Sequence, residues 1–281
     1  MTDAFGARLT RTFAATGQLC VGIDPHQALL EAWGLPDSAA GVREFGLRVV
    51  EACAGRVGIV KPQIAFYERH GSAGYAALEG VLVAARAAGL LVIADVKRGD
   101  LGSTVEAYGE AWLTPGSPLE ADAMTAVAYQ GLGSLDGVLK RARGAGKGVF
   151  VLAATSNPEA FATQTATRSD GRSVAAGVVA DVDAWNAASW PGSLGSVGVV
   201  VGATIALADF GLDDGSFART PVLAPGFGHQ GAEIAQLREL FGSAAQNVLV
   251  SASRSILSAG PGGIEAAIDD AAAQVVAACR A

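Results

Sequence analysis

Short runs rich in Val, Ile and Leu recur along the chain, separated by longer amphipathic stretches. Eight of them read as strands: Leu19–Ile23, 57–60, 90–94, Ala123–Ala126, 148–153, Val197–Val201, 222–224 and 248–250. They lack the polar alternation of a half-exposed sheet, which is the pattern of parallel strands covered on both faces. Helical periodicity fills the intervals. Phe5, Leu9 and Phe13 fall four residues apart in an opening helix. Ser38 is placed to cap a helix reaching Ala54, Ser72 one reaching Ala88, and Ser134 one over 135–143 that Gly144 ends. A last helix, 264–279, follows the break Pro261-Gly-Gly263.

Eight strands, each followed by a helix, predict a single-domain α/β chain folded as a (β/α)8 TIM barrel over residues 1–281. A doubly wound open sheet is the alternative, because strand order is not written in a sequence. Two segments exceed what a barrel needs. Residues 157–196 are expected to hold a mobile loop (163–172) and a helix (174–187). Residues 207–220 form a second insertion carrying Asp209, Asp213 and Asp214. Neither reads as a separate domain.

Composition narrows the class. Hydrophobic residues make up 51% and charged residues 17%, enough for a large core and too apolar for disorder. The net charge of −7 argues against nonspecific nucleic-acid binding, which needs a basic surface, and leaves room for one cationic pocket. Cys20, Cys53 and Cys279 are far apart and form no C-x-x-C, so neither a disulfide framework nor a zinc site is expected. No apolar run reaches the roughly 18 residues of a membrane span, and the N-terminus has no signal-peptide core. A cytoplasmic protein with no membrane partner is the expectation.

In such barrels the chemistry sits where strands end. The third run ends Asp95-Val-Lys97-Arg-Gly-Asp100. Asp95 and Lys97 are two apart and share a strand face, and Asp100 follows in the loop. Two carboxylates around one ammonium shift each other's pKa values and set charge beside a ligand, although a structural ion pair has the same signature. The first run ends in Asp24-Pro25 and the second in Lys61-Pro62-Gln63, which add an acid and a base to the same rim. Taken alone, the first is a turn starter and the second a surface lysine. The seventh run leads into Pro225-Gly226-Phe227-Gly228-His229-Gln230, and the eighth into Ser253-Arg254. Glycines let backbone N–H groups approach an anion, and an arginine offers a bidentate fork for phosphate. A plain turn is the other reading of the glycines. Thr155-Ser156-Asn157-Pro158 after the fifth run suits either the edge of a base-like ligand or a helix cap. His26, His70 and His229 have no metal-ligand spacing, and no dinucleotide or serine-hydrolase motif stands out.

Together these segments resemble the orotidine 5′-phosphate decarboxylases. Asp95-Val-Lys97-Arg-Gly-Asp100-Leu-Gly-Ser-Thr104 is similar to that family's signature. Val21-Gly-Ile-Asp24-Pro25, Lys61-Pro-Gln-Ile-Ala-Phe66-Tyr-Glu68, Thr155-Ser-Asn-Pro158, Pro225-Gly-Phe-Gly228 and Ser253-Arg254 follow in order, from about residue 18 to 257, closest to the longer bacterial subgroup. The resemblance implies a lyase that converts orotidine 5′-phosphate to UMP, the last step of UMP biosynthesis, with no cofactor or metal, in a homodimer with shared sites.

It also implies roles. Asp24 would contact the ribose hydroxyls and Lys61 would join that charged network. Asp95 would sit beside the substrate carboxylate, and Lys97 would protonate the ring carbon. Asp100 and Thr104 would reach a neighbouring site across a dimer interface. Ser156 would read the pyrimidine edge. Gly226, Gly228, Gln230 and Arg254 would serve the phosphate. The fourth strand departs from the pattern: it ends Thr125-Ala-Val-Ala128-Tyr129 where relatives carry Asn-Pro before the Tyr. The competing readings are a Mg²⁺-dependent hexulose-phosphate synthase or keto-gulonate-phosphate decarboxylase of the same superfamily, and a catalytically silent barrel that binds a phosphorylated metabolite.

Overall fold

The structure, a computed structural model, describes residues 3–228 and 231–280. Strands β1 (Leu19–Ile23), β2 (Ile59–Pro62), β3 (Leu91–Arg98), β4 (Ala123–Ala126), β5 (Gly148–Ala154), β6 (Val197–Val201), β7 (Val222–Pro225) and β8 (Val248–Ala252) pair in parallel, each with the next. β8 closes on β1, with Cys20 opposite Ser251. The open-sheet alternative is thereby excluded.

Helices wrap the outside. In chain order they are α1 (Phe5–Thr16), α2 (Gln27–Ala32), α3 (Ala39–Cys53), α4 (Ala65–Glu68), α5 (Gly71–Ala87), α6 (Gly102–Leu113), α7 (Asp136–Ala145), α8 (Pro158–Gln164), α9 (Val174–Ser189), α10 (Leu237–Phe241), α11 (Arg254–Leu257) and α12 (Ile264–Arg280). Ser38 caps α3 as expected, its hydroxyl accepting from Gly41 N–H at 3.2 Å. Two expected caps are corrected. α5 starts two residues earlier than a cap at Ser72 allows, at Gly71 with His70 at the cap position. Ser134 lies inside a 3₁₀ turn (Leu132–Leu135) and donates to Gly131 O, so α7 starts at Asp136. α7 also runs past Gly144 and stops at Gly146, whose left-handed backbone (φ +67°) ends a helix without a Cβ penalty.

Each strand alternates its side chains between two cores, and that alternation positions the site. Outward residues such as Val21, Val60, Val92 and Met124 pack under the helices. Inward residues such as Cys20, Ile59, Ile93, Phe150 and Leu249 fill the barrel. The N-terminal end is plugged by α1: Phe5 meets Phe150 edge-on at 6.0 Å, and Leu9 is fully buried with it. Burying side chains of this size stabilises by about 1.5–3 kcal/mol each. Toward the C-terminal end the same inward parity turns polar: Ile59 is followed by Lys61, Ile93 by Asp95, Ala123 by Thr125 and Leu249 by Ser251. Several strands run further toward the C-terminal end than their apolar runs suggest. β2 is shifted to include Lys61 and Pro62, β3 continues through Arg98 and β8 through Ala252, because barrel pairing carries polar residues that an apolar pattern does not count.

Candidate active site

The polar end of the barrel encloses a cavity of about 260 Å3. Asp24, Lys61, Asp95, Lys97, Gly226 and Arg254 all line it, so six of the expected residues from five strand ends converge on one space.

Asp95 is its electrostatic centre. Lys61 Nζ lies 2.9 Å from Asp95 Oδ2, and Lys97 Nζ lies 2.5 Å from Oδ1. Thr125 Oγ1 also donates to Oδ1, at 2.9 Å. Lys61 and Asp95 are each only 7% exposed, whereas the Lys97 side chain is 44% exposed at the mouth. Burial alone raises the Asp95 carboxyl, but Lys61 and Lys97 outweigh it and hold the group well below the usual carboxylate range. Burial alone likewise lowers Lys61, and Asp95 with Asp24 outweighs it, leaving the ammonium raised. Both charges are therefore fixed across the neutral range.

Lys97 is held in an unusual way. Its φ is +47°, and it is the one non-glycine among the described residues with positive φ. The β3–β4 register shifts between Ala94 and Arg98, and Lys97 N–H is taken by Thr125 Oγ1 at 2.8 Å. A left-handed lysine carries strain on the order of 1–3 kcal/mol, which persists only where surroundings impose it and is concentrated at functional sites. Thr125 thus holds both the backbone of the lysine and the carboxylate beside it.

Asp24, one residue past β1, accepts from Ser253 Oγ at 2.5 Å through Oδ2. Its Oδ1 is buried and has no hydrogen-bond partner among the described residues. Gly22 makes room for this pair, since a Cβ there would come within 2.7 Å of Ser253 Cβ. A buried carboxylate oxygen with nothing to accept from suits a ligand hydroxyl. His26 stands near Asp24 and Arg254. Burial, then Arg254, push its imidazole down, against a smaller pull from Asp24.

The opposite wall suits an anion. Arg254 begins α11 and has no ion-pair partner among the described residues. Gly226 has φ +115°, so the chain bends there into a conformation open to glycine. Gly228 is a different case. Its N–H is already donated to Ala232 O at 2.8 Å, and an added Cβ would strike Ser255 at 2.7 Å, so it acts as a turn residue. Gln230 and His229 lie outside the described residues.

Three expected residues stand off the cavity of their own chain. Asp100 uses Oδ1 on the adjacent Leu101 N–H at 2.9 Å. Thr104 is exposed on α6, and Ser156 is exposed on the rim past β5. The expected cluster of two carboxylates about one ammonium is, within one chain, two ammoniums about one carboxylate. Beside Asp100, Leu101 is 60% exposed, and Tyr129, past β4, is 85% exposed. Several lining groups were missed by sequence reasoning: Gln63, Thr125, Ser251 and, as a partner for Asp24, Ser253. The available signal was parity. Each hydroxyl stands two residues after an inward apolar residue of its strand or one step beyond.

Among the described residues no three His, Cys, Asp or Glu side chains gather as a metal site, and no helix is long and apolar enough to cross a membrane.

Known proteins are similar to this chain over most or all of its length. Orotidine 5′-phosphate decarboxylase of Salinispora tropica is 51% identical over 279 residues, covering 99% of this chain and 98% of that one. The enzyme of the same name from Streptomyces coelicolor is 50% identical over 262 residues, covering 92% and 91%. A solved Streptomyces avermitilis protein superposes with a TM-score of 0.94 at 49% identity, covering 100% of this chain and 97% of that one. Leishmania donovani OMP decarboxylase superposes with a TM-score of 0.79 at 29% identity, covering 99% and 100%. The sequence profile of the orotidine 5′-phosphate decarboxylase / HUMPS family matches residues 17–268, from just before β1 into α12. With the family profile matched over most of the chain, and with relatives at about half identity over nearly its full length, the chain belongs to the orotidine 5′-phosphate decarboxylase / HUMPS family.

Proposed function

We propose that this chain, acting as one barrel domain, decarboxylates orotidine 5′-phosphate to UMP in pyrimidine biosynthesis, using only its own side chains. The observation that carries the reading is Lys97: an ammonium on a strained backbone, tied to Asp95, which is ionised at neutral pH, at the mouth of a cavity whose far wall is Arg254.

The steps follow from the groups present. Arg254, with the Gly226 turn, takes the phosphate. A ribose hydroxyl donates to Asp24 Oδ1, and Lys61 balances the two carboxylates around it. The substrate carboxylate is then directed toward Asp95, which stays ionised and repels it. The C6–carboxyl bond breaks, CO₂ leaves, and the electron pair stays on C6. The Lys97 ammonium stabilises that charge and gives its proton to C6, and solvent at the mouth returns a proton to the amine. Phosphate binding is remote from the reacting carbon, so its energy serves to order the site and raises kcat as well as lowering KM.

The remaining roles belong to the same proposal. The enzyme works as a cytoplasmic homodimer in which Asp100 and Thr104 complete the partner's cavity, and Ser156 reads the pyrimidine edge. Gln230 closes over the phosphate. Support for the dimer comes from Asp100 and Thr104 standing outside the lining of their own cavity, and from the exposure of two large apolar side chains, Leu101 next to Asp100 and Tyr129 past β4. Mixed dimers of Asp24→Asn and Asp100→Asn chains should recover part of the activity that each homodimer lacks. No recovery in verified heterodimers would place Asp100 within its own chain's site.

The direct test is to mix EDTA-treated protein with orotidine 5′-phosphate and follow CO₂ release and the pyrimidine absorbance. Metal-independent formation of UMP is expected. Activity that vanishes with EDTA and returns with Mg²⁺ would favour the sugar-phosphate enzymes instead. Binding without turnover under either condition would favour a silent barrel.

A further inference from the structure

Strand β5 ends at Ala154, so Thr155 N–H lies past the last paired residue of the β5–β6 ladder. A side chain replaces the missing strand partner. Gln164, the last residue of α8, accepts from Thr155 N–H through Oε1 at 2.8 Å and donates through Nε2 to Thr155 Oγ1 at 3.0 Å. An amide carries an acceptor and a donor side by side, which is what this double contact requires. The Thr155 hydroxyl donates onward to Asn157 Oδ1 at 2.8 Å, and Asn157 Nδ2 to Glu159 Oε2 at 3.1 Å. Ser156 is the residue between the two that are held. Its backbone N and Cβ also lie against Gly202 at the end of β6, each 3.2 Å from where a Cβ would stand.

Burial does not explain α8, since none of its residues is buried. Its anchors are few and local. Phe161 meets Phe210 edge-on at 5.6 Å, and Ser173 Oγ donates to Phe210 O at 2.5 Å. What α8 delivers is Gln164 to the rim.

We infer that Gln164 is a positioning residue for Ser156, and through it a determinant of affinity for the pyrimidine ring and not for the phosphate. The inference rests on the proposed role of Ser156 at the base. A hydroxyl that reads a ring edge must be held to within about 0.5 Å, and an exposed loop does not do that unaided. Gln164 supplies the constraint from nine residues away without touching the ligand.

The test is calorimetric binding of UMP and of ribose 5-phosphate, which lacks the base, to wild type, Q164A, S156A and the double variant. Each single substitution should weaken UMP about tenfold, the loss of one good hydrogen bond. Ribose 5-phosphate should bind all four proteins alike. The double variant should be no weaker than the weaker single one, because both act on one contact. Q164E, which keeps the acceptor for Thr155 N–H and loses the donor, should fall between wild type and Q164A. Equal weakening of both ligands by Q164A would overturn the inference, since it would mean general loosening of the mouth. Additive losses in the double variant would overturn it too. S156A that leaves UMP binding unchanged sinks the reading of Ser156 and this inference with it. An effect of S156A with none from Q164A sinks the inference alone.

Discussion

Two buried aspartates sit at opposite ends of this barrel, each between two cations. At the N-terminal end, Asp122 Oδ1 lies 2.6 Å from Arg8 and 3.7 Å from Lys147, and its Oδ2 accepts Val92 N–H at 2.9 Å. Lys147 is bound in turn by Glu120 at 2.8 Å. At the C-terminal end, Asp95 stands between Lys61 and Lys97. In composition the clusters are nearly the same, and their surroundings set them apart. Asp122 ties α1 to the strands around it, and both of its cations are largely covered. Asp95 faces a cavity, one of its cations is half exposed on strained backbone, and a neighbouring carboxylate oxygen, Asp24 Oδ1, has no hydrogen-bond partner among the described residues. An ion cluster by itself is therefore no sign of catalysis. A cluster with open space, stored strain and an unfilled acceptor is.

Paired substitutions sharpen the contrast. Lys97→Ala should lower turnover by more than about ten-thousand-fold, since it removes both the proton donor and the charge facing C6, while the fold survives. Lys147→Ala should do the reverse, lowering stability by up to about 3 kcal/mol because Glu120 loses its ion pair and Asp122 keeps only Arg8, while leaving kcat near wild type. Denaturant unfolding and initial rates on the same samples would check both, and near-normal turnover by Lys97→Ala would break the comparison. Arg254→Ala should reduce kcat/KM for orotidine 5′-phosphate by up to about a hundredfold, the loss of a charged hydrogen-bond pair, and leave orotidine itself nearly unaffected. Equal losses on the two substrates would remove Arg254 from the phosphate.

The smallest effect concerns pH. Asp95 is held below its ordinary value of 3.8, so the native state binds fewer protons there than the unfolded chain. Its contribution to stability is complete above that value and is lost only as pH falls through the lower native one. The difference in unfolding free energy between wild type and Asp95→Asn should thus stay constant from about pH 7 to 5 and change only below about 4. A change between 7 and 5 would mean that Asp95 takes up its proton in the ordinary range.

Much of the barrel is legible in the sequence because its strands are covered on both faces, which leaves runs such as Val197–Val201 without polar interruption. Legibility fails where barrel pairing and apolar character part company. Lys61 ends an apolar run yet lies inside β2, buried with its ammonium on Asp95. Helix starts fail at Ser72 and Ser134 for another reason: a serine at the right spacing is compatible with a cap, but a neighbouring 3₁₀ turn or an earlier start displaces it. Charged residues at strand ends announce the site, since Asp24, Asp95, Lys97 and Arg254 are costly anywhere but at the rim. Thr125 and Ser251 do not announce themselves, because a single hydroxyl in an apolar strand looks like packing. The positive φ of Lys97 leaves no trace in residue identity, since it arises from the β3–β4 register shift.

The most direct measurement is kcat on orotidine 5′-phosphate for Asp95→Asn and Asp122→Asn side by side, at matched concentrations of folded protein. The account predicts a fall of at least about a thousandfold for Asp95→Asn and wild-type turnover for Asp122→Asn. Comparable turnover in the two variants, high or low, would contradict it.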